Sequence, residues 1–183
     1  TAADVLASLQ VATPLTELML PAYSTGAAAV VLASPARAAR ASSRGAIITG
    51  VGHATGAYLE STEWLRNPGA STARAAAAAY RTAGITDAAE TVGLVEFTAP
   101  SIALYQPLLD ALGVNKNLDH KYVNPSGGAA ANYPGLANGV LRLLEVVERL
   151  ENQTDRRTGV VHSVDTITGT AALDSTVLVV EGV

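Results

Sequence analysis

The 183-residue sequence contains no cysteine, and only one methionine, one tryptophan and one phenylalanine. Without cysteine there is no disulfide scaffold, no thiolate zinc site and no cysteine nucleophile within this chain. Aromatic residues come to 4%, which suits helices packed tightly on a sheet better than an aromatic-rich β-sandwich. Long apolar runs are missing as well. Nothing reaches the roughly 18 uninterrupted apolar residues of a membrane span, and the first residues lack the basic-then-apolar build of a signal peptide, so a cytoplasmic location is the default expectation. Charge of one sign is also scarce. Twelve basic residues are scattered against sixteen acidic ones for a net charge of −4, which leaves no electrostatic footprint for nucleic acid. The three histidines have no fixed spacing, so no metal site is expected.

What is present is an apolar fraction of 49%, rich in alanine, on a chain long enough for one domain with a proper core. Residues 1–23 mix a short helical pattern with a segment punctuated by Pro14 and Pro21, and read as a leading segment packed on the rest, 24–183. Ser24 to Ser34, an apolar run behind Gly26, suggests a buried strand, followed by a short helix from Pro35 with Ser34 as its cap. Gly45 to Gly56 reads as a strand ending in a glycine-rich loop that holds His53. No helix follows it at once, so a dinucleotide fingerprint is rejected. Tyr58 to Pro68 is irregular and contains Trp64. A helix is expected over 71–84, capped by Ser71 or Thr72 and stopped by Gly84. Then come a strand at Leu94–Pro100, a helix over 101–112 with Pro107 inside it, and two closing strands, 159–165 and 175–181, as a hairpin.

The most informative stretch runs from Asn124 to Gly139, Asn-Pro-Ser-Gly-Gly-Ala-Ala-Ala-Asn-Tyr-Pro-Gly-Leu-Ala-Asn-Gly, straight into a helical pattern over 137–150. Gly127 and Gly128 permit a tight segment, and the helix that follows offers free N–H groups and a positive dipole end to a developing oxyanion. The alternative is a strand-to-helix turn without chemistry. In the helix, Val140, Leu143, Leu144, Val147 and Leu150 form one stripe, with Arg142, Glu145 and Arg149 expected on the far side.

This stretch resembles the C-terminal motif of the thiolase superfamily, Asn-x-x-Gly-Gly-(small)-Gly-His-Pro-x-Gly-x-x-Gly. Tyr133 stands where that family has its carbonyl-polarising histidine, and Asn132 replaces the glycine before it. Ser24 to Ser34 is similar to the thiolase run Asp-Gly-Ala-Ala-Ala-Val-Val-Leu-Ala. The four-residue signature of the family falls on Thr98-Ala99-Pro100-Ser101, with no amide, imidazole or thiol, and the second catalytic cysteine would fall near Ser163 or Ala171. The resemblance covers most of the chain but only the second half of a thiolase, whose two halves each run βαβαβαββ. It implies an α/β fold, a thiolase-like half with a mixed five-stranded sheet and helices on both faces.

The resemblance is to the sterol-carrier and lipid-transfer branch, which includes cysteine-free retro-aldolases of steroid side-chain breakdown. It implies an acyl-coenzyme A thioester as substrate, no tightly bound cofactor, and an N-terminal thiolase-like half or another thiolase-like subunit as partner. A zinc-ribbon/OB-fold protein is the further partner it suggests. The candidate residues are Tyr133 and His162 for chemistry, and Asn124, Gly127, Gly128, Asn132, His53 and Ser163 for substrate contact. A phenol can donate a hydrogen bond to an enolate, though a tyrosine packed at a turn is the alternative. His162, Ser163 and Asp165 invite a triad, but neighbouring strand residues point to opposite faces, so His162 is expected to be structural. His120 is expected at the surface. The functional expectation is C–C bond cleavage by a retro-aldol or thiolase-type route with a partner chain. The other is a catalytically degenerate half that supports an active subunit.

Overall fold

The computed structural model describes residues 1–40, 45–58, 61–152, 158–165 and 172–183. Its centre is a five-stranded sheet of β3 (Ala46–Tyr58), β4 (Leu94–Phe97), β5 (Tyr122–Val123), β6 (Thr158–Asp165) and β7 (Ala172–Gly182), in the order β3-β7-β6-β4-β5. β7 is antiparallel to both β3 and β6, while β4 is parallel to β6 and β5. Four strands therefore run one way and β7 runs against them. The sheet is mixed and carries helices on both faces, as the strand and helix alternation implies.

On one face, α4 (Ala70–Ala83) and α6 (Ile102–Ala111) cover Val95, Phe97, Val160, Val177 and Val179. On the other, α8 (Asn138–Asn152) lays Leu143, Val146 and Leu150 against Leu94, Val161 and Val180. The alternation of β4 is thus split between two layers, as period-2 geometry demands. The abundant alanine has its explanation in α4, where Ala75, Ala76 and Ala79 are buried. A Cβ at Gly52 would lie 1.8 Å from the Ala75 carbonyl oxygen, and one at Gly50 would lie 2.2 Å from that of Ala79. Helix backbone therefore rests directly on strand backbone. Gly84 ends the helix with a positive φ of 73°, the usual left-handed stop.

Several expectations are corrected. Residues 24–34 form no strand; Val31 is 95% and Leu32 75% exposed. An apolar run becomes a buried strand only where a neighbour pairs with it, and the first strand of the sheet is β3 instead. Gly52 does not open a loop, since β3 continues through it to Tyr58. Ser71 and Thr72 do not cap α4. Gly69 is the N-cap, and both hydroxyl residues are buried inside the first turn. Trp64 lies on a short helix, α3 (Thr62–Arg66), capped by Ser61; further short helices are α2 (Pro35–Ala38), α5 (Ala88–Thr91) and α7 (Gly128–Ala131). Arg142 does not face solvent: it is 2% exposed.

The leading segment forms α1 (Ala2–Ala7) and a small hairpin of β1 (Gln10–Ala12) and β2 (Leu15–Thr16). It then docks on the Gly-rich stretch through Ala22 N–H to the Ala129 carbonyl at 3.1 Å and Tyr133 N–H to the Ala22 carbonyl at 2.8 Å. No described helix is long and apolar enough to cross a membrane.

Candidate functional site

The Asn-Pro-Ser-Gly-Gly loop begins where β5 ends, and the sheet continues to grip it after the strand stops. Asn124 N–H donates to the Val95 carbonyl at 2.8 Å, and the Asn124 Oδ1 then accepts Phe97 N–H at 2.7 Å. One side-chain amide thus replaces the next carbonyl of the β4–β5 ladder. Asn124 holds a φ of 46°, Gly127 of 90° and Gly128 of 58°. A Cβ on Gly128 would come 2.8 Å from Asn124 Nδ2. The glycine pair therefore has a steric cause: it lets the loop fold back over its own asparagine.

Beneath the loop lies a buried ion pair. Glu96 is fully buried in the strand Leu-Val-Glu-Phe. A lone carboxylate there would be costly. It is met by Arg142 Nη1 at 3.3 Å, by the Ser126 N–H at 2.9 Å and by the Ser126 hydroxyl at 2.7 Å. Arg142 also donates to Ser126 Oγ, and its Nη2 donates to the Asn132 carbonyl at 3.2 Å. One arginine of α8 thereby ties both ends of the loop to the centre of β4. Asn132 keeps its side chain exposed, with Oδ1 accepting from the Ser24 hydroxyl at 2.5 Å.

The N-terminus of α8 meets the carboxyl ends of β4 and β6. The chain passes from β4 outward to β5 and then returns across β4 to β6, so this is a topological switch point, the usual place for a ligand in an open α/β sheet. Asn138, 2% exposed, donates its amide to Thr98 Oγ1 at 2.6 Å, and its own Oδ1 is buried without a partner among the described residues. The Thr98 N–H in turn donates to the His162 carbonyl at 3.1 Å. Ser163 packs beside Gly139, where a Cβ would sit 3.0 Å from its hydroxyl oxygen.

His162 points the other way, under α4. Its Nε2 lies 3.2 Å from Thr72 Oγ1, which is 3.0 Å from Ser175 Oγ, itself 2.9 Å from Ser71 Oγ. Burial drives the imidazole down to a pKa of about 3, so it is neutral at ordinary pH. The expectation that His162 and Ser163 occupy opposite faces agrees with these contacts, so the two do not pair as base and nucleophile. His53, on β3, is 58% exposed, with Nε2 4.0 Å from Asp174.

Tyr133 is half-buried. Its ring meets that of Tyr23 edge-on at 5.6 Å, its N–H donates to the Ala22 carbonyl at 2.8 Å, and its carbonyl accepts the Ser24 N–H at 3.2 Å. It stands one short turn before α8, at the seam between the leading segment and the Gly-rich loop. Ala171 and the hairpin tip, 166–171, lie outside the described residues, as does the side chain of His120.

No family model matches this chain, and no curated protein matches it. Among the described residues, no group of three or more His, Cys, Asp or Glu is placed to hold a metal ion. The geometry brings Asn124, Gly127, Gly128, Asn132 and Tyr133 into one loop system, sets Ser163 at the adjacent helix N-terminus, and puts His162 beneath α4. Sequence reading missed Glu96, Arg142, Thr98 and Asn138, which hold that system in place. A signal was there: the one acid of the apolar strand Leu-Val-Glu-Phe needs a buried cation, and Arg142, between Leu141 and Leu143, is a candidate for it.

Proposed function

We propose that this chain is a thiolase-like subunit that acts on acyl-coenzyme A thioesters with a second thiolase-like chain, cleaving a C–C bond. The observation that carries this reading is the order of elements. With the short helices between them set aside, β3, the long helices α4, α6 and α8, and β4 to β7 follow one another as β3, α4, β4, α6, β5, α8, β6 and β7, a βαβαβαββ order, with the Asn-Pro-Ser-Gly-Gly loop between the third strand of the sheet and the last long helix. The exposed apolar run at Val30–Leu32 supports a partner, since such patches mark interaction surfaces.

The reaction that suits a cysteine-free chain is a retro-aldol cleavage of a β-hydroxyacyl thioester. A base takes the proton of the β-hydroxyl, that oxygen becomes a carbonyl, and the bond between the α- and β-carbons breaks. Its electron pair passes to the thioester enolate, whose α-carbon then takes a proton. Tyr133 is the donor assigned to the enolate oxygen, and the helix dipole of α8 favours the same charge. A thiolytic route would take its thiolate from the partner chain. The zinc-ribbon/OB-fold protein remains a candidate partner on the same reading.

The test is to purify the chain with whatever it binds in its native host and to assay β-hydroxyacyl-coenzyme A cleavage. Tyr133→Phe, which keeps the ring, is expected to lower kcat by about 10²–10³ where the bond forms mainly in the transition state. An active complex unaffected by that change assigns the chain a supporting role. One observation favours this second reading: His162 is sealed beneath α4 with Nε2 against Thr72, and Asn124 Oδ1 already accepts the Phe97 N–H.

A further inference from the structure

A cleft of about 330 Å3 lies between the leading segment and α6. Val5, Leu18, Leu20, Ile102, Tyr105 and Val123 line it, and Gly127 and Ala129 bring the Gly-rich loop to its edge. None of the lining residues is charged. Ala99, just past β4, and Asn124, just past β5, place it at the carboxyl ends of two parallel strands, where ligands of open α/β sheets bind. Ile102 is 54% and Leu18 55% exposed, so apolar surface is left open on a wall that a ligand would cover.

Tyr105 supplies the polar feature. Its ring packs on Phe97 with centroids 4.7 Å apart, and its hydroxyl has no hydrogen-bond partner among the described residues. Desolvation, reinforced by the negative charge of Glu96, raises its pKa above the ordinary tyrosine value, so the phenol stays protonated and can donate.

We propose that this cleft takes the uncharged aliphatic part of the substrate's acyl group, with the Tyr105 hydroxyl as a hydrogen-bond donor at its wall. The inference rests on the acyl-thioester reading and names the kind of acyl group. At about 30 Å3 for each water-sized group, the volume fits roughly ten non-hydrogen atoms, a medium chain or a small ring system. A lining without cations gives no partner to a free carboxylate or phosphate, so the nucleotide end of a thioester lies elsewhere.

The experiment uses 1-decanol, uncharged and free of any thioester, titrated into the whole chain by calorimetry. Saturable binding is expected, weakened at least 10-fold by Ile102→Asp and about 5-fold by Tyr105→Phe. Since Ile102 is more than half exposed, its variant is expected to keep the parental circular dichroism and thermal midpoint. Absent binding, or equal binding by the folded Ile102→Asp variant, overturns the proposal. So does a partner chain found to bury Ile102 and Leu18, which makes the cleft a protein interface. A second arm follows cleavage of β-hydroxyacyl-coenzyme A thioesters by the purified complex. Decanol binding without cleavage leaves the cleft standing and removes the acyl-thioester reading. Cleavage indifferent to acyl length and to Ile102→Asp does the reverse.

Discussion

Acid should destabilise this protein through His162 in a way that one substitution isolates. The imidazole is fully buried, and burial lowers its pKa to about 3, against an unfolded value of about 6.5. Above pH 6.5 neither state is protonated and His162 has no linkage effect. As pH falls below 6.5 the unfolded chain takes up a proton that the folded chain refuses until about pH 3, so stability declines by about 1.4 kcal/mol per pH unit across that window. By pH 5 the loss amounts to about 2 kcal/mol. Carboxylates titrate at the lower end of the window, so the comparison must be with a variant that lacks only this group. His162→Gln offers an amide to Thr72 Oγ1 and does not titrate. Its own cost at pH 7.5, from imperfect packing and a re-made hydrogen bond, is about 1–3 kcal/mol. Urea unfolding of both proteins, followed by Trp64 fluorescence at several pH values from 7.5 to 5, gives the stability gap between them. The gap should narrow by about 2 kcal/mol over that range. A gap that stays constant would show that His162 charges in the folded state as it does in water, and the account of it as a sealed neutral residue would be wrong.

Two further outcomes concern the framework. Gly52→Ala sets a Cβ against the Ala75 carbonyl at 1.8 Å, and because that neighbour is helix backbone, the cost should be about 3 kcal/mol or more in urea unfolding; a loss under about 1 kcal/mol would mean that α4 can move away from β3. Arg142→Met leaves Glu96 buried with only Ser126 as donor, and should cost about 3–5 kcal/mol, whereas the double variant Glu96→Leu with Arg142→Met should recover much of that loss; equal instability of single and double variants would refute the pairing.

The sequence by itself determined the layers. Short apolar runs at Leu94–Phe97 and Val160–Val164, the amphipathic stripe through Leu143 and Leu150, and Gly84 as a left-handed stop all encode local hydrophobic patterning or backbone freedom. Those are properties of neighbouring residues, so they are legible without a fold, and with them came the closing hairpin and the opposite facing of His162 and Ser163. The Gly127–Gly128 pair likewise announced a tight turn before a helix.

What only the tertiary structure decided are the properties that depend on a distant partner. Arg142 reads as solvated in its own helix; it is buried because Glu96, 46 positions away, meets it on the face of β4 that α8 covers. Ser71 and Thr72 read as caps, yet their hydroxyls turn to Ser175 and His162 because α4 sits low enough on Gly50 and Gly52 to bring them there. The apolar run at 24–34 reads as a strand, but a strand needs an adjacent edge to satisfy its backbone, and beyond the Ser24 N–H bond to Tyr133 no strand among the described residues pairs with it. Local pattern fixes which elements can form; the long-range partner fixes which way each polar side chain faces, and the candidate site is built almost wholly from such choices.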